Sequence, residues 1–192
     1  MPSPVGHSIA GWLLGRRELK SAEGRRRFWL LWVWIVFAAN AADLDFLPGI
    51  YAGQFKLYHH GMTHSLAWAA AFGAVSALVF KRCWGWSLKR GFMLCSFLYG
   101  SHILLDLFGI DSDYPRGMQL FWPFSDVYVM SPIAFFPGLA NASLAAVFSL
   151  GNLKKIAVEC LYMILLVLAA YRAQIAQLFR VSRSASTIKE GV

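Results

Sequence analysis

The chain has 192 residues, 58% of them hydrophobic and 15% charged, with a mean hydropathy of +0.51, a balance that excludes both an ordinary water-soluble domain and a disordered chain. A count of 18 Lys and Arg against 10 Asp and Glu gives a formal charge of +8. That excess suits nucleic acid, anionic lipid or the basic loops of a membrane protein, and the positions of the charges decide between them.

Stretches free of Asp, Glu, Lys and Arg cover residues 1–15, 28–42, 65–80, 91–105, 127–153 and 160–171. Several are only about fifteen residues long; at about 1.5 Å per residue such a helix covers about 22 Å of a hydrocarbon core roughly 30 Å thick. Either the flanks complete each span or polar residues lie at membrane depth. The pattern predicts an all-α, polytopic membrane bundle of about five or six short transmembrane or re-entrant helices. Residues 1–180 read as a single membrane-embedded domain and 181–192 as a flexible tail. Pro132 and Pro137 interrupt the run that starts at Val127, so the path of the last segments stays open.

Basic residues gather at Arg16, Arg17, Lys20, Arg25, Arg26 and Arg27, and again at Lys81, Arg82, Lys89 and Arg90. The positive-inside rule makes both groups cytoplasmic and topology-setting, which argues against nucleic-acid binding. The alternate segments carry Asp43, Asp45, Asp106, Asp111, Asp113 and Asp126 with only Lys56 and Arg116 as bases, and they are expected on the outer face of a multi-pass inner-membrane protein. Trp29, Trp32, Trp34, Trp84 and Trp86 flank the basic groups as interfacial anchors or simple packing residues. Cys83, Cys95 and Cys160 are widely spaced in apolar sequence and read as buried small hydrophobes, with no disulfide framework. The run Arg25-Arg26-Arg27-Phe28-Trp29 and the later Ala39-Asn40-Ala41 imitate an export signal and its cleavage site, but the chain beyond them is apolar enough to stay in the membrane.

The five histidines avoid ordinary polar loops. His7 lies in an apolar N-terminal helix, His59 and His60 precede a glycine, His64 opens one apolar run and His102 nears the end of another. His60 and His64, like His102 and Asp106, are four residues apart, so on a helix each pair shares one face at metal-ligand spacing. Asp43 and Asp45 would point the same way in an extended segment, and Pro48 favours a helix end there. Under the topology set by the basic loops, these groups converge on one membrane face. A single such residue is ordinarily structural; ionisable groups adjoining membrane segments are costly, and their convergence points to function. Imidazole and carboxylate without thiolate suit zinc, with manganese or iron as alternatives, and so many ligands fit two or three ions rather than one. Ser65 and Ser101 lie beside histidines but outside any nucleophile elbow, and no phosphate-binding glycine loop is present.

The order His7-Ser8-Ile9-Ala10-Gly11, Asp43-Leu44-Asp45, His59-His60-Gly61-Met62-Thr63-His64-Ser65, His102-Ile103-Leu104-Leu105-Asp106 and Leu120-Phe121-Trp122-Pro123-Phe124-Ser125 resembles the YdjM-like membrane-bound metal-dependent hydrolases. That family is similar to the helical zinc phospholipase C and single-strand nuclease superfamily. The resemblance implies His7, Asp43, Asp45, His59, His64, His102 and Asp106 as motif positions. Where the family usually has Arg this chain has His60, which either replaces a basic substrate contact or becomes a ligand. The expectation is a metal-dependent hydrolase of a phosphoester, with a phospholipid as the natural substrate and metal-activated water as nucleophile. Asp43 or Asp45 would bridge metals or act as base, and Arg116 is the nearby arginine that could steady a phosphate. The alternatives are a non-enzymatic membrane scaffold with a structural metal, and a metal-ion transporter, which one-sided ligands without repeated halves argue against.

Overall fold

The computed structural model describes residues 1–54, 58–111, 115–140 and 144–189, with side chains up to residue 172 except that of Leu144. Helix α1 (Pro4–Lys20) starts where Ser3 caps the Gly6 N–H and Pro4 fills the first turn, and it ends in Arg17 and Lys20, which complement the helix dipole. Gly24, at φ +78°, turns the chain into α2 (Arg25–Asn40). A 3-10 turn (Ala41–Asp45) runs directly into the short α3 (Phe46–Tyr51). After a second 3-10 turn (Met62–His64), Ser65 caps α4 (Leu66–Trp84), which stops at Gly85 in the left-handed conformation. Ser87 then caps α5 (Leu88–Leu107). The short α6 (Leu144–Val147) and the long α7 (Leu150–Lys189) complete the fold.

Helices α4 and α5 form one antiparallel pair and α1 and α2 another; α5 touches both members of the second pair, and α7 lies along α1. Small residues set these approaches. A Cβ on Gly73 would lie 3.0 Å from the Phe92 carbonyl oxygen, and one on Gly91 would lie 2.9 Å from the Ala77 Cα. On α1, Gly11 and Gly15 admit Ile35 and Ala39 of α2. Small residues of this kind let helix backbones approach closely. Leu31, Ile35, Ala38, Phe80, Cys95 and Leu98 form one buried cluster; Ala42, Ala69, Tyr99, Ile103 and Met118 form another nearer the chain's acidic loops.

Two segments, Arg25–Tyr51 and Leu66–Trp84, are long and apolar enough to cross a membrane. The 19 residues of α4 cover about 28 Å at about 1.5 Å each, close to a hydrocarbon core. Leu30, Val33 and Phe37 on the first and Val75 and Leu78 on the second are exposed, as are Phe97 and Leu104 on α5.

Both basic groups lie at one end of the bundle. Arg27 donates to the Trp84 carbonyl at 3.4 Å, Arg90 pairs with Glu18, and the Arg90 guanidinium stacks 4.0 Å over the Trp86 ring. The all-helical expectation holds, since the described residues contain isolated β-bridges and no strand. The detail differs in four places. Residues 127–140 form an irregular segment pinned by bridges between Met118 and Val129 and between Gly109 and Phe136, because Pro132 and Pro137 deny it a helix ladder. Helix α7 is a single element of 40 residues rather than a short one. Cys95 is buried, but Cys83 is exposed and Cys160 half-buried, because both fall on outward positions of their helices. The expected tail over 181–192 continues the α7 backbone to Lys189, and its last three positions lie outside the described residues.

Candidate metal centre

At the end of the bundle away from the basic loops, the histidines and aspartates meet. His102 and Asp106, one turn apart on α5, place Nε2 and Oδ2 3.1 Å from each other. Asp43 reaches them from the turn after α2, its Oδ1 3.3 Å from His102 Nε2 and 3.8 Å from His64 Nε2. His64 Nε2 is 3.4 Å from Asp106 Oδ2. His7 enters from α1, its Nε2 3.4 Å from Asp106 Oδ1 and its ring stacked on that of His102 at 3.8 Å between centroids. His7, His64 and His102 are each 0% exposed.

Contacts from outside the cluster orient several of the rings. A carbonyl oxygen only accepts, so the 2.9 Å contact between His102 Nδ1 and the Ala39 carbonyl puts the proton on Nδ1 and leaves the Nε2 lone pair facing the cluster. Asp45 stands behind two more rings, although His59 Nε2 meets the Met1 Sδ at 2.8 Å rather than the cluster. Its Oδ1 accepts from His59 Nδ1 at 2.9 Å, and its Oδ2 accepts from Thr63 Oγ1 at 2.7 Å and lies 3.2 Å from His64 Nδ1. Tyr99 in turn holds the Thr63 carbonyl at 2.8 Å. A carboxylate that orients imidazoles from behind is the usual outer shell of a histidine metal site.

Protonation follows from these partners. Burial pulls His59 down to about 4 against the partial support of Asp45, with His60 and His64 adding to the depression, so its ring is neutral near pH 7. Burial also opposes the charged form of His64, but the carboxylates of Asp106 and Asp45 on either side override it and carry the group up to about 9. The field that holds a proton at this point between carboxylates is one that holds a metal cation.

Eight buried polar atoms in the cluster lack a hydrogen-bond partner: His7 Nδ1 and Nε2, Asp43 Oδ1, His60 Nε2, His64 Nε2, His102 Nε2, and both oxygens of Asp106. Buried polar atoms are seldom left unsatisfied, and unpartnered imidazole and carboxylate atoms gathered this closely are a candidate donor set for a cation. Three groups have ligand atoms within 4.8 Å of one another: Asp43, His64, His102 and Asp106; His59, His60 and His64; and Asp43, Asp45 and His59. Buried imidazole and carboxylate groups here could therefore hold metal.

The geometry corrects two local expectations. Asp43 and Asp45 do not share an extended segment; they lie on a 3-10 turn, where residues two apart diverge, and Asp43 faces His102 while Asp45 faces His59. Pro48 sits early enough in α3 to be tolerated and does not end the helical path. His60 and His64 do not share a helix either. His60 adopts φ +64°, a strained conformation for a residue with a side chain, and both rings still face each other with centroids 5.0 Å apart.

His60 Nδ1 lies 3.5 Å from Asp111 Oδ2, so Asp111 belongs to the rim of the cluster although no spacing rule marks it. Asp111 also accepts from the Gly117 N–H at 2.9 Å. Thr63 was legible only as part of the motif. Arg116 is exposed and makes no hydrogen bond or ion pair among the described residues, so the structure does not bring it into the cluster.

A cavity of about 760 Å³ opens beside Asp45 and is lined by Leu44, Thr63, Trp68, Phe72, Gln119 and Trp122 among others. It joins the polar cluster to an aromatic and apolar wall. Residues 1–178 match the family model described as YdjM inner membrane protein. No curated protein and no solved structure gives a match.

Proposed function

Because the chain belongs to the YdjM family of inner membrane proteins, we propose that it is a membrane-bound metal-dependent hydrolase that cleaves a phosphoester, most naturally in a phospholipid, from a site on the outer face. The observation that carries this reading is the set of unpartnered imidazole and carboxylate atoms on Asp43, His64, His102 and Asp106, which converge inside one end of the bundle. These four would hold one ion, and His59 and His60 beside them would contribute to a second, in keeping with two or three zinc ions. When bound, such ions supply Lewis-acid polarisation of a phosphoryl oxygen and acidify a water.

The chain's own residues set the rest. Asp45 has both oxygens engaged by His59, Thr63 and His64, so it is a positioning residue that fixes ring orientation. Asp43 has one oxygen free of hydrogen bonds inside the cluster, which makes it the carboxylate available to bridge ions or accept a proton. The cavity beside Asp45 is within the size range of small-molecule sites, roughly 300–1,000 Å³. Trp68, Phe72 and Trp122 give it an apolar wall for the neighbouring part of an amphiphilic substrate.

The test is hydrolysis of phospholipids and of a soluble phosphodiester by protein purified in detergent, before and after chelation and metal return. Metal-dependent product formation by the native chain, lost in His64→Ala, is the expected result. Stoichiometric metal without turnover of any phosphoester would leave a structural metal in a membrane scaffold. The complete burial of His7, His64 and His102 is the feature that favours that second reading.

A further inference from the structure

The opposite end of the bundle holds a second cavity, larger than the one beside Asp45, at about 860 Å³. Its walls come from the start of α2 and the end of α4. Arg25, Arg26 and Arg27 line it at the start of α2 together with one opposing carboxylate, Glu23, while Leu30 and Trp34 further along α2 and Val79 and Phe80 of α4 supply its apolar wall. The charge is therefore at one end and the apolar surface at the other, in the order that a lipid presents headgroup and acyl chain.

The arginines are not equally committed. Arg27 donates to the Trp84 carbonyl and lies 5.8 Å over the Trp84 ring. Arg25 and Arg26 are exposed and make no hydrogen bond or ion pair among the described residues. Topology-setting arginines need only point into water. Two uncommitted guanidinium groups above an apolar cavity between helices that could both span a membrane form a more specific arrangement, since guanidinium forks match phosphate oxygens. Basic pockets between membrane helices on this side are where anionic headgroups bind.

We propose that this cavity binds one anionic phospholipid, with its phosphate on Arg25 and Arg26 and an acyl chain along Leu30 and Val79. The site is separate from the metal centre and does not depend on the hydrolase reading. It would tie the α1–α2 turn to the α4 end through a lipid, beside the direct contact that Arg27 makes with Trp84.

The test is native mass spectrometry of the full-length protein released from micelles that contain equimolar phosphatidylglycerol and phosphatidylcholine. One retained phosphatidylglycerol per chain is expected, in clear excess over phosphatidylcholine. Each arginine near the surface contributes about a fivefold preference, so Arg25→Gln with Arg26→Gln should cut the excess by about 25-fold. Arg25→Lys with Arg26→Lys should keep much of it, and Val79→Trp should reduce it by filling the acyl channel without touching a charge. Equal retention of the two lipids by the native chain, or a preference unchanged in the double glutamine variant, would overturn the proposal. Displacement of the lipid by glycerol 3-phosphate at matched concentration would also overturn it, because the ligand would then be a free phosphoester. Metal content should be unchanged in all three variants.

Discussion

Glu159 on α7 is buried at 1% exposure, and its two carboxylate oxygens lie 3.0 and 2.9 Å from the Ser3 N–H at the start of α1. One turn on, the His7 N–H donates to the Ser3 carbonyl at 3.2 Å, so the same contact that docks α7 also sets the helix that carries a cluster histidine. Gly6 leaves the room: a Cβ there would collide with the Glu159 carboxylate. Glu159→Ala removes a charged acceptor worth about 1.5–3 kcal/mol and leaves the Ser3 N–H buried without a partner. With the void added, the loss should be about 3 kcal/mol, or roughly 6–12 °C in melting temperature for a chain of this size. Glu159→Gln keeps the shape and one acceptor oxygen and should lose about 1 kcal/mol. Thermal unfolding in detergent, paired with metal analysis, measures both effects. If Glu159→Ala melts with the native chain and retains its full metal, the proposed link from α7 through α1 to His7 is wrong.

Three further outcomes follow from the geometry. Gly73→Ala should destabilise the α4–α5 pair by about 1–3 kcal/mol through overpacking, and Ser96→Gly should recover part of that, because Ser96 Oγ is the nearest obstacle to the new methyl. Recovery is read from the melting temperature of the double variant; none would place the strain elsewhere. Metal affinity should rise with pH: His64, held at about 9 without metal, must lose its proton before Nε2 coordinates, so this one residue contributes up to about a tenfold gain per pH unit below that value. Competition with a chelating dye across pH checks the slope, and a flat profile would remove His64 Nε2 from the ligand set. Arg116→Ala should leave metal content and any turnover within about twofold of native, since an exposed side chain away from the cluster contributes little; a large loss in turnover at full metal content would restore Arg116 to the site.

Much of the candidate metal centre was legible because polar residues in apolar sequence have few innocent explanations. His102 and Asp106 sit one turn apart on a real helix, so the spacing argument transferred directly to a 3.1 Å contact. The same argument brought His60 and His64 together for the wrong reason: a positive-φ residue and a 3-10 turn, rather than a helix, aim their rings inward. The Asp43 and Asp45 pair was found, but its division of labour was not, because the turn conformation that separates the two side chains is set by tertiary contacts with His102 and His59. Asp111 was missed as a ligand candidate because it joins through a loop closure at Gly117 that has no periodic signature. Glu159 carries no signal from spacing at all; its partner is the backbone of Ser3, 156 residues away. The two basic groups do lie together at the end of the bundle away from the histidines and aspartates, and Pro132 and Pro137 mark the irregular path of residues 127–140.

Whether the convergent imidazole and carboxylate atoms hold metal decides the function of this end of the bundle. Metal per chain, measured by plasma mass spectrometry on detergent-purified protein, should give two or more zinc-like ions in the native chain and a marked loss in a folded His102→Ala, Asp106→Ala double variant. A native chain that stays metal-free after reconstitution with zinc and manganese would contradict the metal reading and leave the cluster as a buried hydrogen-bond network.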